Sequence, residues 1–506
     1  MTATITTAGP RQPQPLPPQP AVGRRVPWLA LVAVAYAVAQ LLLFAVGYPG
    51  LGWDETVYVS QVDPRAPAAF FSAPRSRGIS YLVAPILAVT GSVTVLRTAL
   101  ALASALVLYA AFRVWQPLLG RAATALAALL FSTLWVTVLY GSQAMPNLWV
   151  ALAAVAATGW CLRATGPGAP RRAYVLLASC LAAAVLFRFS DGVWLALPLL
   201  AGSLVVRAWR RPPVVLALLA GPMLGGLQWI AEAYARFGGI GARLRISSST
   251  EGGMHPHWNG GTARRGLSGP LLCRPCTVQL THPAHPAHHL WWLALPVLAA
   301  SACAMAVRVR RPAPTLLPVV CAAALSVPYL LMLSYFAPRF LLPSYALLSL
   351  PIAALVVRAV RALRSGTPRT FAITALIVFF AAHLSTQYAD LRTNVADARG
   401  VNARYQVAAD ELHRLGLRPP CLTTGKHAPP IAYYTGCASA DVSGNNSNTT
   451  PTALRHRAAH EPTAALTRKH HPPSYASGWT AHHLPGTGLT AYLPPRPQPA
   501  RPEPSR

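Results

Sequence analysis

Two adjacent carboxylates, Asp54 and Glu55, stand in the stretch GYPGLGWDETVYVS (47–60) of a 506-residue chain that has only 13 acidic residues. The pair follows directly on an apolar run, so a helix end fixes its backbone. Tyr58 lies four residues after Asp54 and shares its face if the segment is helical. A positioned carboxylate can take the proton from an attacking hydroxyl, which raises a rate by about 10²–10⁴-fold. Adjacent acids cannot easily flank a sugar from both sides, as the two carboxyl groups of a glycosidase must. One carboxylate suffices if the leaving group is already a phosphate, because a cationic cradle then replaces the general acid. Candidate cradle residues are Arg75 and Arg77 in FFSAPRSRG (70–78), Arg188 in RFSDG (188–192) and Arg339 in SYFAPRFLLPSY (334–345). For a sugar carried on a membrane polyprenyl phosphate, these residues imply a single displacement with inversion. A plainer reading stays open: a hydrated acidic loop, an Arg339 that snorkels to headgroups, and an Arg188 that pairs with Asp191.

Those residues need a frame, and the composition supplies one. The chain is 53% hydrophobic and 11% charged, and long apolar runs recur. That is the signature of an integral membrane protein. The formal charge of +30 would suggest nucleic acid in a soluble protein. Here every basic residue except Lys426 and Lys469 is arginine, and the arginines fall in bursts between apolar runs. That is a topology signal, and a nucleic-acid partner is not expected.

Apolar runs near 27–47, 93–115, 122–140, 147–164, 173–188, 191–207, 214–234, 290–307, 315–336, 340–358 and 370–388 predict about eleven transmembrane helices. The first is read as a retained span preceded by a disordered cytoplasmic N-terminus, 1–26. With that terminus inside, the inner junctions hold Arg24/Arg25, Arg113/Arg121, Arg163/Arg171/Arg172, Arg207/Arg210/Arg211, Arg308/Arg310/Arg311 and Arg358/Arg361/Arg364/Arg369. The positive-inside rule is thus met repeatedly. It places the C-terminus, the loops 48–92 and 237–289, and the Asp54–Glu55 pair on the extracytoplasmic side of a cell membrane. Arg75, Arg77, Arg188 and Arg339 then lie outside, where that rule gives them no reason to be. GISYLVAPILAVTG (78–91) is apolar but too short to cross, and reads as an interfacial helix.

Residues 390–445 change character and suggest a small extracytoplasmic α/β appendage. Val401, Tyr405, Ala408, Leu412 and Leu415 mark one helix face, while CLTTG and IAYYTGC read as short strands. The segment 446–506 is rich in Pro, His, Asn and Thr and reads as a mostly disordered tail. Four cysteines, Cys273, Cys276, Cys421 and Cys437, fall outside, where disulfides persist. Cys421–Cys437 is the first choice for a staple; the CxxC at 273–276 could be a disulfide, a metal half-site or neither. The histidines around it do not match structural-zinc spacing. No cofactor motif appears, and Asp54 with Glu55 makes a thin ligand set for a divalent ion.

The N-in first span, the outer Asp-Glu-x-x-Tyr, the short apolar segment and the many following spans form a pattern. It resembles the GT-C superfamily of integral membrane glycosyltransferases, in particular its protein O-mannosyltransferase and lipid A aminoarabinose transferase branch. The resemblance covers roughly 27–390 as architecture, and as motif WDETVY (53–58) and APRFLLPSYALL (337–348). It implies Asp54 as catalytic base, Glu55 as its partner, Tyr58 at the site edge and Arg339 on the donor phosphate. It also implies a polyprenyl-phosphate-linked sugar as donor and a protein, glycan or lipid as acceptor in the cell envelope. One departure concerns the acceptor: SQAMPNLWV (142–150) has Asn147 where related enzymes often carry a second acid. Asparagine can bond a sugar hydroxyl but cannot act as a base. Two other readings compete. A transporter or flippase for a lipid-linked or anionic solute would show an internal repeat and broken mid-membrane helices; a catalytically inert relative would serve as a scaffold.

Overall fold

A computed structural model describes residues 26–45, 50–274, 286–444, 446–468 and 471–495. Almost all of 1–26, Cys276, His282, His285 and the last eleven residues lie outside them. The chain is a mostly helical, multi-span membrane protein that ends in a small mixed sheet.

Helix α1 (Trp28–Ala45) leads into a loop that carries α2 (Trp53–Val59) and α3 (Gly78–Val89). The bundle continues through α4 (Val93–Arg113), the single turn α5 (Gln116–Leu119), α6 (Arg121–Ser132), α7 (Trp135–Gly141), α8 (Pro146–Ala164), α9 (Arg171–Phe187), α10 (Phe189–Val205) and α11 (Pro212–Phe237). A second large loop contains α12 (Ile240–Thr250) and α13 (Gly260–Gly266), and α14 (Leu290–Arg308), α15 (Ala313–Leu331), α16 (Leu342–Ala362) and α17 (Thr367–Arg414) follow. Each predicted span therefore has a helical counterpart. Among the described residues seven helices are long and apolar enough to cross alone, and the α6–α7 pair would be an eighth. Helices α1 and α10 are shorter apolar helices. So is α3, whose twelve residues reach about 18 Å, well short of a bilayer core of about 30 Å.

Two departures from the predicted spans shape the site. The run read as one span over 122–140 is broken, because α6 and α7 meet at 79°. Thr133 Oγ1 bonds back to the Leu129 carbonyl (2.7 Å), and Gln387 accepts the Trp135 amide (2.9 Å), so the ladder stops there. The last span does not end near 388. Helix α17 runs unbroken for 48 residues, about 72 Å, and merges the predicted span with the predicted appendage helix.

Helix packing inside the bundle relies on small residues. At Gly225 an added Cβ would stand 2.1 Å from the Ala182 carbonyl, and at Gly221 2.6 Å from that of Ala178. Helices α9 and α11 thus meet backbone to backbone, as small-xxx-small pairs allow. The end of α9 next to Arg188 meets the first loop directly: a Cβ at Gly78 would stand 2.6 Å from the Leu186 carbonyl, and the Phe189 amide donates to Ser76 Oγ (3.1 Å).

The appendage is larger than the sequence suggests. Strands β1 (Leu422–Gly425), β2 (Ala438–Ser439), β3 (Thr463–Thr467), β4 (Thr480–Leu484) and β5 (Leu489–Leu493) form one sheet in the order β2-β1-β3-β5-β4. Strand β1 is parallel to β2 and β3, and β5 is antiparallel to β3 and β4. The expected disordered tail from 446 is therefore folded at least to β5. Its Pro/His-rich composition hid a hairpin, two short strands around PGTG (485–488), which is a recognised turn signal. IAYYTGC is not strand. Pro429 and Pro430 open helix α18 (Ala428–Thr435), and Gly436, in the left-handed conformation (φ 73°), closes it. A second short helix, α19 (Pro451–Ala458), precedes β3. A disulfide joins Cys421 to Cys437 (Cα–Cα 4.7 Å), and Cys273 is also disulfide-bonded.

Asp441, beside β1, gives the appendage a pH dependence. Its carboxylate accepts the Gly425 amide (3.0 Å), yet burial pushes its pKa up from 3.8 to about 7. The folded state then holds the proton more tightly than the unfolded chain. This stabilisation is complete below the unfolded pKa and is lost as pH rises through about 7. The displacement corresponds to on the order of 4 kcal/mol. Amide protection of the sheet in the full-length protein, corrected for intrinsic exchange, should be higher at pH 5.5 than at 8.5. Asp441→Asn should flatten the difference, and an equal slope in both proteins would contradict the assignment.

Candidate active site

Helix α2 is seven residues long and would not persist alone. Its first turn is held by Glu55, whose Oε2 accepts the Gly52 amide (2.9 Å) and whose Oε1 accepts the Ala144 amide (2.7 Å). Arg97 of α4 pairs with both oxygens of Glu55, Nη2 at 2.7 Å from Oε2, and also donates to Ser142 O and Gly50 O. The appendage braces the approach to α2. Tyr434 Oη accepts the Leu51 amide (2.8 Å), Asn402 donates to Gly50 O (2.8 Å), and Tyr433 Oη donates to Asp63 (2.6 Å).

Successive helical residues point about 100° apart, and this separates the acid pair. Glu55 is buried in the scaffold just described, whereas Asp54 faces a cavity of about 100 Å³. The two carboxylates therefore do not converge on one ligand or cation. Both oxygens of Asp54 are engaged, Oδ1 by Arg75 (2.8 Å) and Oδ2 by Arg339 (3.0 Å). Burial by itself would raise its pKa, but the Arg75 charge and then the Arg339 charge outweigh that and hold the carboxyl below its usual value.

Around Asp54 the cavity gathers Tyr58, Arg75, Arg188 and Arg339. Arg75 lies over the rings of Trp53 and Tyr58, at 5.6 and 5.1 Å. Arg339 sits in the single turn Pro338–Leu341 ahead of α16. The α6–α7 bend delivers Tyr140 to it (3.3 Å), and it donates also to Leu271 O (3.0 Å). Arg188 reaches Asp191 at ion-pair distance only (Nε to Oδ2, 3.2 Å) and rests on Tyr329 and Phe340. Its Nε makes no hydrogen bond among the described residues, and the residue lines the cavity.

Besides Glu55, two nominated residues do not line this cavity. Arg77 pairs with Glu232 (2.7 Å), bonds Gln61 and lies over Phe71 (4.5 Å). With Arg236 and Arg243 on the same carboxylate, it ties the first loop to α11 and α12. Asn147, in the first turn of α8, is fully buried, and its amide makes no hydrogen bond among the described residues.

Sequence reasoning missed Arg97, Glu251, Arg274 and Tyr335. Arg97 could have been noticed as a charge four residues inside an apolar run. Arg274 is another arginine in a loop placed outside, the same signal that singled out Arg75. Glu251 and Tyr335 carry no local signature; only the second loop folding over the cavity brings them to it.

No family model and no curated protein matches the sequence. Solved structures do match. ArnT from Cupriavidus metallidurans bound to undecaprenyl phosphate aligns with a TM-score of 0.64 at 14% identity, over 92% of this chain and 97% of that one. Its apo form gives 0.62 at the same identity and coverage. The Archaeoglobus fulgidus oligosaccharyltransferase tethered to an acceptor peptide containing the NVT sequon gives 0.53 at 12% identity, over 87% of this chain and 69% of that one. At such identities the likeness is one of fold. Over about 90% of its length the chain has the fold of these GT-C membrane glycosyltransferases.

Proposed function

We propose that the protein moves a sugar from a polyprenyl-phosphate donor to an acceptor hydroxyl at the extracytoplasmic membrane face. The observation that carries this reading is the carboxylate of Asp54 held between Arg75 and Arg339, with Arg188, ion-paired to Asp191, lining the same cavity. A lipid phosphate is the natural competitor for those guanidiniums, since arginine binds phosphate oxygens through a bidentate fork. As the phosphate takes Arg75 and Arg339, an oxygen of Asp54 is released. The acceptor hydroxyl gives its proton to that oxygen while its own oxygen attacks the anomeric carbon. The bond from that carbon to the phosphate oxygen breaks, and polyprenyl phosphate leaves with its charge held by the arginines. One attack on one face inverts the anomeric centre.

The donor tail has a path. An apolar cavity of about 350 Å³ lies between α6, α14, α16 and α17, lined among others by Leu130, Trp291, Tyr345, Ile352, Val356 and Phe379. Tyr345 is six residues past Arg339, and the groove follows α16 to Val356, about 17 Å on. The extracytoplasmic assignment is supported by the arginine-rich junctions and by the Cys421–Cys437 disulfide, which persists in oxidising compartments. ArnT held undecaprenyl phosphate in the structure with the higher similarity.

The test is to delete the gene and analyse membrane lipids and surface glycans by mass. One polyprenyl-phosphate sugar should accumulate and one surface glycan should disappear; unchanged profiles would refute the reading. In nanodiscs, Arg339→Ala should weaken undecaprenyl phosphate binding by about 10–100-fold, the range for a hydrogen bond to a charged group. Equal affinity in both proteins would remove Arg339 from the phosphate site.

A further inference from the structure

The cavity has a second carboxylate, and its surroundings differ from those of Asp54. Glu251 caps the C-terminal end of α12 in the second large loop and lines the cavity with Thr250, Arg274 and Tyr335. Its Oε2 accepts the Tyr335 hydroxyl. Among the described residues no arginine lies within ion-pairing distance of it, although Arg75, Arg188, Arg274 and Arg339 all line the same space. Arg274 instead stacks on the Tyr335 ring (4.4 Å) and donates to Thr250 O (2.9 Å), which stiffens the segment bearing Glu251. Tyr335 also packs edge-on against Phe340, next to Arg339 (5.7 Å between rings).

We propose that Glu251 reads the donor sugar: its unengaged oxygen accepts hydrogen bonds from sugar hydroxyls, and Tyr335 positions it. This rests on the donor reading above and deepens it. A carboxylate repels phosphate, so Glu251 is suited to the neutral, hydroxyl-bearing end of the donor, while the arginines around Asp54 suit its charged end. A site built to bond a hydroxyl discriminates strongly, because a donor lacking that hydroxyl leaves buried polar groups unpaired. Asn147 lies outside this cavity, so the second polar handle comes from the loop and not from α8.

The test uses two probes on the full-length protein in nanodiscs. One is undecaprenyl phosphate, which has no sugar; the other is the polyprenyl-phosphate sugar extracted from the deletion strain. Glu251→Ala should bind the sugar-bearing lipid about 10–100-fold more weakly than wild type and undecaprenyl phosphate within twofold. Glu251→Gln, which keeps an acceptor oxygen, should recover part of that loss. Tyr335→Phe should show a smaller loss confined to the sugar-bearing lipid. Equal effects on both lipids, or no effect on either, would overturn the assignment, and unchanged undecaprenyl phosphate binding shows that a variant is folded. If no donor accumulates, or wild type binds neither lipid, the donor reading itself has failed.

Discussion

Asp54→Asn is expected to lower sugar transfer by about 10²–10⁴-fold, the usual contribution of a general base, without loss of lipid binding. The second half of that expectation is the sharper one. In the free protein Asp54 occupies both Arg75 and Arg339, so it competes with the donor phosphate for them. Asparagine keeps the shape and removes the charge, so undecaprenyl phosphate should bind as well as before or more tightly. The paired arginines also fix the pH behaviour. Burial favours the neutral acid, but Arg75 and then Arg339 prevail and lower the Asp54 pKa. A depressed carboxyl adds stability above its unfolded pKa, and that is lost only as pH falls through the folded value. In the free protein Asp54 therefore stays ionised across pH 5–8. Single-turnover transfer and lipid affinity measured on one preparation check both halves. Full transfer by the variant removes Asp54 as the base, and lost lipid affinity would make it a structural anchor.

What the sequence made legible followed physical rules with a long reach. Bilayer thickness fixes span length, so each apolar run except the broken 122–140 is matched by a helix. The shortage of acids made Asp54 conspicuous, and arginines against the topological trend led to Arg75, Arg188 and Arg339. The failures are local or tertiary. Adjacency suggests that Asp54 and Glu55 act as a unit, although one helical step sends one to the cavity and the other to the core. Arg77 resembles Arg75 in type and neighbourhood, and only the presence of Glu232 on α11 decides its use. Glu251 and Tyr335 are 84 positions apart in sequence, and no periodicity links them. Composition misled in the appendage, where alternating strands as short as LTAYL bury against one another behind a Pro/His-rich signature.

Arg97→Met should be the most damaging single change outside the cavity. Arg97 and Glu55 are 1% and 3% exposed in their side chains, and breaking such a pair strands a charge, at a cost of about 3–5 kcal/mol. The loss extends beyond the pair, because Arg97 also gathers Gly50 O and Ser142 O around the start of α2. Thermal unfolding in nanodiscs should drop clearly for Arg97→Met. Adding Glu55→Leu removes the stranded charge, so the double variant should regain part of the stability, as hydrophobic replacements of buried pairs often do. Activity should not return with it, because without Glu55 the Gly52 and Ala144 amides lose their acceptor and α2 no longer has a fixed first turn. Stability and turnover would then part company in one variant, which separates a scaffold role for Glu55 from a catalytic one. If Glu55 itself served as the base, Glu55→Gln with Arg97 intact would lose as much turnover as Asp54→Asn; the hydrogen bonds around Glu55 call instead for a smaller loss, tracking stability.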